Sequence, residues 1–160
     1  DLPINTEMVA FDIETTGLNA GSDRMTEIGA VIFAGGEVKE SFNTFVDPGM
    51  HIPAEVTQLT GITDKDVKGA PSEGEAMKAF LEFVGGRPIV AHNADFDTGF
   101  MASAAARCGI EFEPVYLDTL GTISLGGAGA DGECPGNESV SVGGFVHQFL
   151  RFAFARFEAP

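Results

Sequence analysis

The sequence predicts an α/β domain in which a central mixed sheet of five strands is flanked by helices. Three observations support this class: three strand-like segments come first, a glycine pair separates the second from the third, and helix-like segments then alternate with short apolar strands. Strands followed by alternating helices and strands are typical of a sheet covered by helices on its faces. The 160 residues are about one domain's length.

Three strands open the predicted sheet. Short apolar runs with alternating character predict them over Met8–Glu14, Glu27–Phe33 and Val38–Val46. Gly35 and Gly36 separate the last two runs and fit a two-residue hairpin turn. These three strands are therefore expected to form an antiparallel meander.

Helices and two further strands account for the chain up to about residue 120. Pro53 suits the first position of a helix, and Ser72 is a favoured N-cap residue. The predicted helices are Ala54–Leu59, a short turn capped by Asp64, Glu73–Val84 and Asp95–Cys108, and the predicted strands are Pro88–Ala91 and Pro114–Leu117. Gly85 and Gly86 end the helix Glu73–Val84, and Gly109 follows the last helix as its C-terminal stop.

Composition excludes several classes of protein. With 24 acidic and 9 basic residues the formal net charge is −15, whereas a free-standing nucleic-acid binder usually carries a basic surface. Two cysteines cannot build a disulfide scaffold, and no apolar run approaches the roughly 20 residues of a spanning helix. The first residues lack the cationic region of a signal peptide. We therefore expect a cytoplasmic single domain with no membrane contact.

The last forty residues differ from the rest of the chain. Residues 121–160 contain 8 of the 21 glycines, and their first part shows no sustained hydrophobic period. The phenylalanine-rich segment 145–157 is interpreted as a terminal helix, a partner-binding segment or an aggregation-prone segment. The predicted division is therefore a folded domain over residues 1–120 and an atypical glycine-rich tail over 121–160.

Asp12 and Glu14 form the first candidate site. Residues two apart on a strand point to the same face, so both carboxylates project together while Phe11 and Ile13 enter the core. Neighbouring like charges need a cation, or one of them must hold a proton. Such oxygen pairs suit Mg²⁺ or Mn²⁺. The alternative is an exposed strand face with solvated acids, and spacing alone favours that alternative.

The second candidate site is the segment AHNADFD at residues 91–97, where a buried strand ends and a helix begins. Ligand sites in α/β sheets are often found at such strand ends. Asp97 would lie in the first turn, where the helix dipole alone also favours an acid, and Asp95 fits that second explanation better. His92 and Asn93 have the alternative role of satisfying backbone groups at the strand end.

Together the two clusters resemble a known family. FDIETTGL at 11–18 and AHNADFD at 91–97 are similar to motifs of the DEDDh branch of the DEDD 3′–5′ exonucleases, above all the proofreading exonucleases of bacterial DNA polymerase III, both the epsilon subunit and the PolC-type domain. TEIGAV at 26–31, VDPGMHIPAEVTQLTGITDKDV at 46–67 and VYLDTL at 115–120 agree with this likeness. The resemblance covers about residues 7–120.

The resemblance implies an RNase H-like fold and a reaction that uses two divalent cations, Mg²⁺ or Mn²⁺. Asp12 would contact both cations, Glu14 the one on the nucleophile side and Asp97 the one on the leaving-group side. The expected substrate is a single-stranded or frayed DNA 3′ end. A DNA polymerase subunit or domain is the expected partner, which would supply the basic DNA track that this acidic chain lacks.

The resemblance also implies substrate contacts. The segment Thr15, Thr16, Gly17 and Leu18 would bring backbone amides and an apolar wedge to the terminal nucleotide. Phe96 would stack near that nucleotide and His92 would line the pocket. For Thr15, Leu18 and Phe96 ordinary turn formation and core packing are an equally weighted alternative.

The chain departs from the family pattern in its tail. The family's third motif, His-x-Ala-x-x-x-Asp or the same motif one residue shorter, supplies a general-base histidine and a fourth carboxylate, but here the window reads VHQFLRFAFARFEAP. His147 is followed at the required spacing by Arg151, Phe152 and Ala153, none of which is a carboxylate.

Three explanations stay open for this departure: an altered reading frame after about Leu120, a degenerate domain that binds without cutting, or a substitute ligand. The candidates for such a ligand are Asp118, Asp131 and Glu133. Two functions follow: a metal-dependent 3′–5′ exonuclease, or an inactive nucleic-acid-binding or polymerase-binding module of the same fold.

Overall fold

The computed structural model describes residues 6–35, 37–91, 94–114 and 116–118 of the chain, the last of these by their backbone. The strands are β1 (Met8–Thr15), β2 (Met25–Ala34), β3 (Glu37–Phe45), β4 (Ile89–Ala91) and β5 (Tyr116–Asp118). The helices are α1 (Ala54–Thr60), α2 (Asp64–Val67), α3 (Glu73–Val84) and α4 (Ala94–Cys108). Every strand and helix predicted up to residue 118 is present, and its ends lie within two residues of the predicted ones.

The five strands form one mixed sheet in the order β3-β2-β1-β4-β5. β1 pairs antiparallel with β2, and β2 with β3, whereas β4 runs parallel to both β1 and β5. Phe11 pairs with Ala91, and Ala91 with Asp118, so the carboxyl ends of β1, β4 and β5 meet at one edge of the sheet. This architecture confirms the predicted α/β class with a central mixed sheet flanked by helices.

The meander of β1, β2 and β3 follows from local chemistry. Ala34 pairs with Glu37 across the β2–β3 connection, and Gly35 has a φ of 58°, a left-handed conformation that glycine adopts without strain. All ten residues of β2 are buried, and the strand lies between β1 and β3 in the sheet. The antiparallel meander predicted from the glycine pair is confirmed.

Helices α3 and α4 pack on one face of the sheet. Phe80 of α3 is fully buried and its ring lies 5.3 Å from the Phe11 ring and 6.3 Å from the Phe42 ring, centroid to centroid. The Ser72 hydroxyl caps α3 by accepting from the Glu75 amide at 3.3 Å, and Gly85 ends the helix with a φ of 56°. The predicted cap and stop of this helix are thus both present.

The segment that contains α1 and α2 differs from its prediction in one respect. Asp64 does not cap α2; Thr63 does, in a reciprocal capping box with Asp66. Asp64 is the first helical residue, and its Oδ1 accepts from the Ile52 amide at 2.8 Å while Oδ2 contacts His51. Asp64 therefore fastens the preceding loop to α2, a role that depends on a contact twelve residues away.

Some predictions fall on residues outside those described. They concern His92 and Asn93, the tail over 121–160 with its candidate ligands Asp131 and Glu133, and the helix or partner segment at 145–157. In the described part of the chain, no helix has both the length and the apolar character that crossing a membrane requires.

Candidate active site

β1 carries the first two candidate ligands. Phe11 and Ile13 are buried in the core that α3 and α4 cover, so the intervening Asp12 and the next alternate residue, Glu14, project from the opposite face. Both acids are partly accessible. One oxygen of Asp12, Oδ1, accepts from the Ile13 amide at 2.9 Å. The strand periodicity that predicted a shared face for the two carboxylates is therefore confirmed.

A third carboxylate lies beside them on the neighbouring strand. Glu27 pairs with Glu14 in the β1–β2 register, and side chains of directly paired residues lie on the same face. Glu27 is completely buried. Sequence reasoning missed this residue because its position depends on the register of two strands; the acid at the start of the otherwise apolar run EIGAVIF is the signal that could have found it.

The electrostatic consequence appears at Glu14. Burial, then the negative charge of Asp12, then that of Glu27 raise the pKa of Glu14 from 4.5 to about 7. A carboxylate with so high a pKa sits where an additional negative charge is unfavourable. The sequence predicted that Asp12 and Glu14, as neighbouring acids, need either a cation or a proton, and the raised pKa of Glu14 agrees with that prediction.

Asp97 lies on α4, the helix that follows the neighbouring strand β4. β4 ends at Ala91, whose register partner Phe11 directly precedes Asp12, and α4 begins three residues later. Asp97 lies in the first turn of α4 and is only 2% exposed, whereas Asp95 on the same turn is exposed. Asp12, Glu14 and Asp97 thus belong to elements that meet at one end of the sheet.

The donor chemistry of this edge fits a hard divalent cation, since carboxylate oxygens are the ligands that Mg²⁺ and Mn²⁺ prefer. The raised pKa of Glu14, caused by burial and then by the negative charges of Asp12 and Glu27, points the same way. Within the described ranges, however, no three Asp, Glu, His or Cys side chains stand in a metal-holding arrangement. The described carboxylates therefore offer oxygen ligands, but they do not form a group of three that could hold one metal ion.

The predicted substrate segment begins at a bulge in the β1–β2 pairing, where β2 carries the extra residue, Thr26. The β1–β2 register shifts between Glu14 and Thr15, and bulges of this kind are common next to active sites. Thr15 and Thr16 are buried, and the Thr15 hydroxyl donates to the Gly17 carbonyl at 2.6 Å. Leu18 is 87% exposed, an unusual position for a large apolar side chain.

Phe96 lies at the margin of the core, and Met50 lies beside Thr16. The Phe96 ring is partly buried and lies 4.9 Å from the Phe100 ring, centroid to centroid, at the margin of the core. Met50, which sequence reasoning did not select, is 41% exposed, and its Sδ lies 3.5 Å from the Thr16 hydroxyl. Met50 was missed because it is 34 residues from Thr16 and no periodic pattern links them.

The sheet order and the acids at its carboxyl edge define an RNase H-like α/β protein. Residues 9–130 match the family model described as "Exonuclease". This match covers most of the chain, so the chain belongs to the exonuclease family. Enzymes of this family generally use divalent metal ions.

The chain is similar in sequence to curated DNA polymerases of the PolC type. The chain is 46% identical over 114 residues to DNA polymerase III PolC-type from Clostridium perfringens and 39% identical over 118 residues to the Bacillus subtilis protein of that name. These alignments cover 71% and 74% of the chain. In both cases the chain spans about 8% of the relative's own length.

Solved structures agree with the fold. Escherichia coli exonuclease I, in a metal-free complex with single-stranded DNA, superposes with a TM-score of 0.64 at 18% identity, covering 72% of this chain and 28% of that one. Its zinc-bound form with single-stranded DNA gives a TM-score of 0.62 with the same identity and coverage. At this identity the likeness establishes the shared fold.

Proposed function

We propose that this chain is a metal-dependent 3′–5′ exonuclease that releases nucleoside 5′-monophosphates from DNA 3′ ends during replication proofreading. One observation carries the proposal: Asp12 and Glu14 share a strand face near the end of the sheet after which α4 begins, with Asp97 in its first turn. The family match over residues 9–130 and the PolC-type relatives support it. The fold alone would leave the chemistry open.

The three acids are proposed to hold two divalent cations, Mg²⁺ or Mn²⁺, with Asp12 between them, Glu14 on the nucleophile side and Asp97 on the leaving-group side. Bound cations would supply Lewis-acid activation of water and stabilise the departing 3′ oxygen. The burial that raises the pKa of Glu14 also lowers the local dielectric, so that charge interactions at this edge are stronger than in water.

The substrate contacts are proposed to come from the segment that follows β1. Exposed Leu18 would press against the terminal nucleotide, and the backbone of Thr15, Thr16 and Gly17 would line the same side. Phe96, at the margin of the core, is the proposed stacking residue, and His92 the residue that lines the pocket. These assignments rest on the motif likeness together with the exposure of Leu18.

A DNA polymerase subunit or domain is the proposed partner. The curated relatives are PolC-type polymerases of which this chain spans a small fraction, and the net charge of −15 opposes unaided DNA binding. A basic track on the partner would offset this charge. The proposed folded unit is residues 1–120, with 121–160 as a separate tail.

Digestion of a 5′-labelled single-stranded oligonucleotide with Mg²⁺ or Mn²⁺ tests the proposal. The expected result is a ladder that shortens from the 3′ end, needs the cation, and disappears in Asp12→Ala. Because the window around His147 lacks the family's fourth carboxylate, the alternative is an inactive binding module. Folded protein that binds the oligonucleotide without shortening it would establish that alternative and reject the proposed activity.

A further inference from the structure

The loop between β1 and β2, residues 16–24, is organised by one carboxylate. The Thr16 hydroxyl, which is buried, donates to Asp23 Oδ1 at 3.0 Å. The same hydroxyl accepts from the Arg24 amide at 3.1 Å, and the Thr16 amide donates to the Arg24 carbonyl at 2.8 Å. Asp23 and Arg24 therefore fix Thr16 from across the loop.

The other oxygen of Asp23 holds the far side of the exposed turn. Asp23 Oδ2 accepts from the Asn19 amide at 3.0 Å, and the Asp23 amide donates to the Asn19 carbonyl at 2.7 Å. The carboxylate thus bridges Thr16 and Asn19, the residues on either side of Gly17 and Leu18. Two residues between two fixed points have little freedom to change direction.

Gly17 shows how closely the carboxylate is packed against this turn. A Cβ added at Gly17 would lie 2.4 Å from Asp23 Oδ2 and 2.6 Å from the carboxyl carbon, both far inside normal contact distances. Glycine is needed here because of this close approach to the Asp23 side chain. Asp23 therefore fills the space directly beneath the residue that precedes Leu18.

A residue of α4 also binds this loop, through a hydrogen bond to the loop backbone. Arg107, near the end of α4, donates through Nη1 to the Ala20 carbonyl at 3.1 Å. Its Nε and Nη2 donate to the two carboxylate oxygens of Glu73 at 2.9 Å each, a bidentate ion pair with α3. The loop is consequently tied to the same two helices that cover the sheet.

These contacts hold a large apolar side chain out into solvent. Leu18 is 87% exposed although four neighbouring residues of its loop are fixed by hydrogen bonds to Asp23, Thr16 or Arg107. A leucine in a freely moving loop would lose entropy on meeting a substrate, whereas one on a fixed turn has already lost it. The turn is therefore preorganised for contact.

We infer that Asp23 is a positioning residue of the substrate site: its carboxylate holds Gly17 and Leu18 so that Leu18 meets the terminal nucleotide of a DNA 3′ end. This inference rests on the proposed exonuclease function. Asp23 acts through the loop, without itself touching the substrate. Removing it should weaken substrate binding more than it slows the chemical step.

Three variants separate positioning from simple loss of stability. Asp23→Ala removes both bonds, whereas the isosteric Asp23→Asn restores them, since its amide oxygen can accept from Asn19 and its amide nitrogen can donate to Thr16. Gly17→Ala keeps the Asp23 carboxylate but adds a Cβ that would lie 2.4 Å from its Oδ2, so that the carboxylate and the turn must move apart. Asp66→Ala is the matched control, because Asp66 accepts a backbone bond from the Thr63 amide at 2.9 Å in a different segment.

The readout is KM and kcat for a 5′-labelled single-stranded oligonucleotide, together with the melting temperature of each variant. Asp23→Ala and Gly17→Ala should each raise KM about tenfold with kcat changed less than about threefold. Asp23→Asn and Asp66→Ala should keep the KM of the parent protein. In the Asp23→Ala background Gly17→Ala should add little, because the group that its Cβ would meet is gone.

An unchanged KM in Asp23→Ala, with or without a lower melting temperature, overturns the inference, as does an equal effect of Gly17→Ala in both backgrounds. Failure of the proposed function looks different: the parent protein itself then gives no ladder. In that case the Kd of the labelled oligonucleotide, from fluorescence anisotropy, replaces KM. A tenfold rise in Kd in Asp23→Ala then supports positioning, and an unchanged Kd or no binding by the parent overturns it.

Discussion

Neutralising Glu14 should change how stability depends on pH. Burial and the charges of Asp12 and Glu27 raise the pKa of Glu14 from 4.5 to about 7 in the folded protein, so between these values the folded state binds a proton that the unfolded state releases. The stability that this proton provides is complete below pH 4.5 and is lost as the pH rises through about 7. Without divalent cations, unfolding should therefore become easier from pH 5 to pH 8.

The size of this effect follows from the same shift. A rise from 4.5 to about 7 corresponds to an upper figure on the order of 3 kcal/mol, which solvent screening at a partly accessible carboxylate reduces. Glu14→Gln, which cannot ionise, should remove most of this pH dependence. It should also make the protein more stable than its parent at pH 8 in the absence of cations.

Urea unfolding followed by circular dichroism at several pH values in EDTA measures the effect. Glu55→Gln is a matched control, because Glu55 is an exposed residue in the first turn of α1. A parent stability that is flat or rises between pH 5 and 8 would contradict the raised pKa of Glu14, and so would a Glu14→Gln variant that retains the parent's slope. Added Mg²⁺ should stabilise the parent at pH 8 more than Glu14→Gln, since a cation that binds the folded state raises its stability.

Other substitutions test the packing that positions the site, all by urea unfolding. Arg107→Ala removes the bidentate pair with Glu73 and the bond to Ala20 and should cost about 1–2 kcal/mol, whereas Arg87→Ala, which breaks a more exposed ion pair, should cost less than about 1 kcal/mol. Equal costs would contradict the anchoring role. Phe80→Ala empties a fully buried site and should cost about 3–5 kcal/mol. Thr63→Ala removes the cap of α2 and should cost about 1 kcal/mol, and no change would show that the capping box is not stabilising.

Much of the fold could be predicted from the sequence because its signals are local. The two-residue period of β1 placed Asp12 and Glu14 on one face, and the cap at Ser72 and the stop at Gly85 bounded α3. The glycine pair after β2 predicted the hairpin. Each of these features depends on residues within a few positions of one another.

What the sequence did not reveal depends on distant contacts. Glu27 joins the acidic edge only because the β1–β2 register sets it opposite Glu14. Asp64 was expected to cap a turn and instead holds Ile52, and Asp23 acts through residues on both sides of an irregular loop. Pairing register and loop geometry are set by tertiary packing, which no local period encodes.

The central claim is that Asp12, Glu14 and Asp97 act as one cation-dependent cleavage site. Two aspartates on the same helical turn allow a direct test, because Asp97 is buried and Asp95 is exposed. In the oligonucleotide assay with Mg²⁺ or Mn²⁺, Asp97→Asn should abolish the 3′ ladder while Asp95→Asn keeps it. A ladder of parental rate from Asp97→Asn would contradict the account.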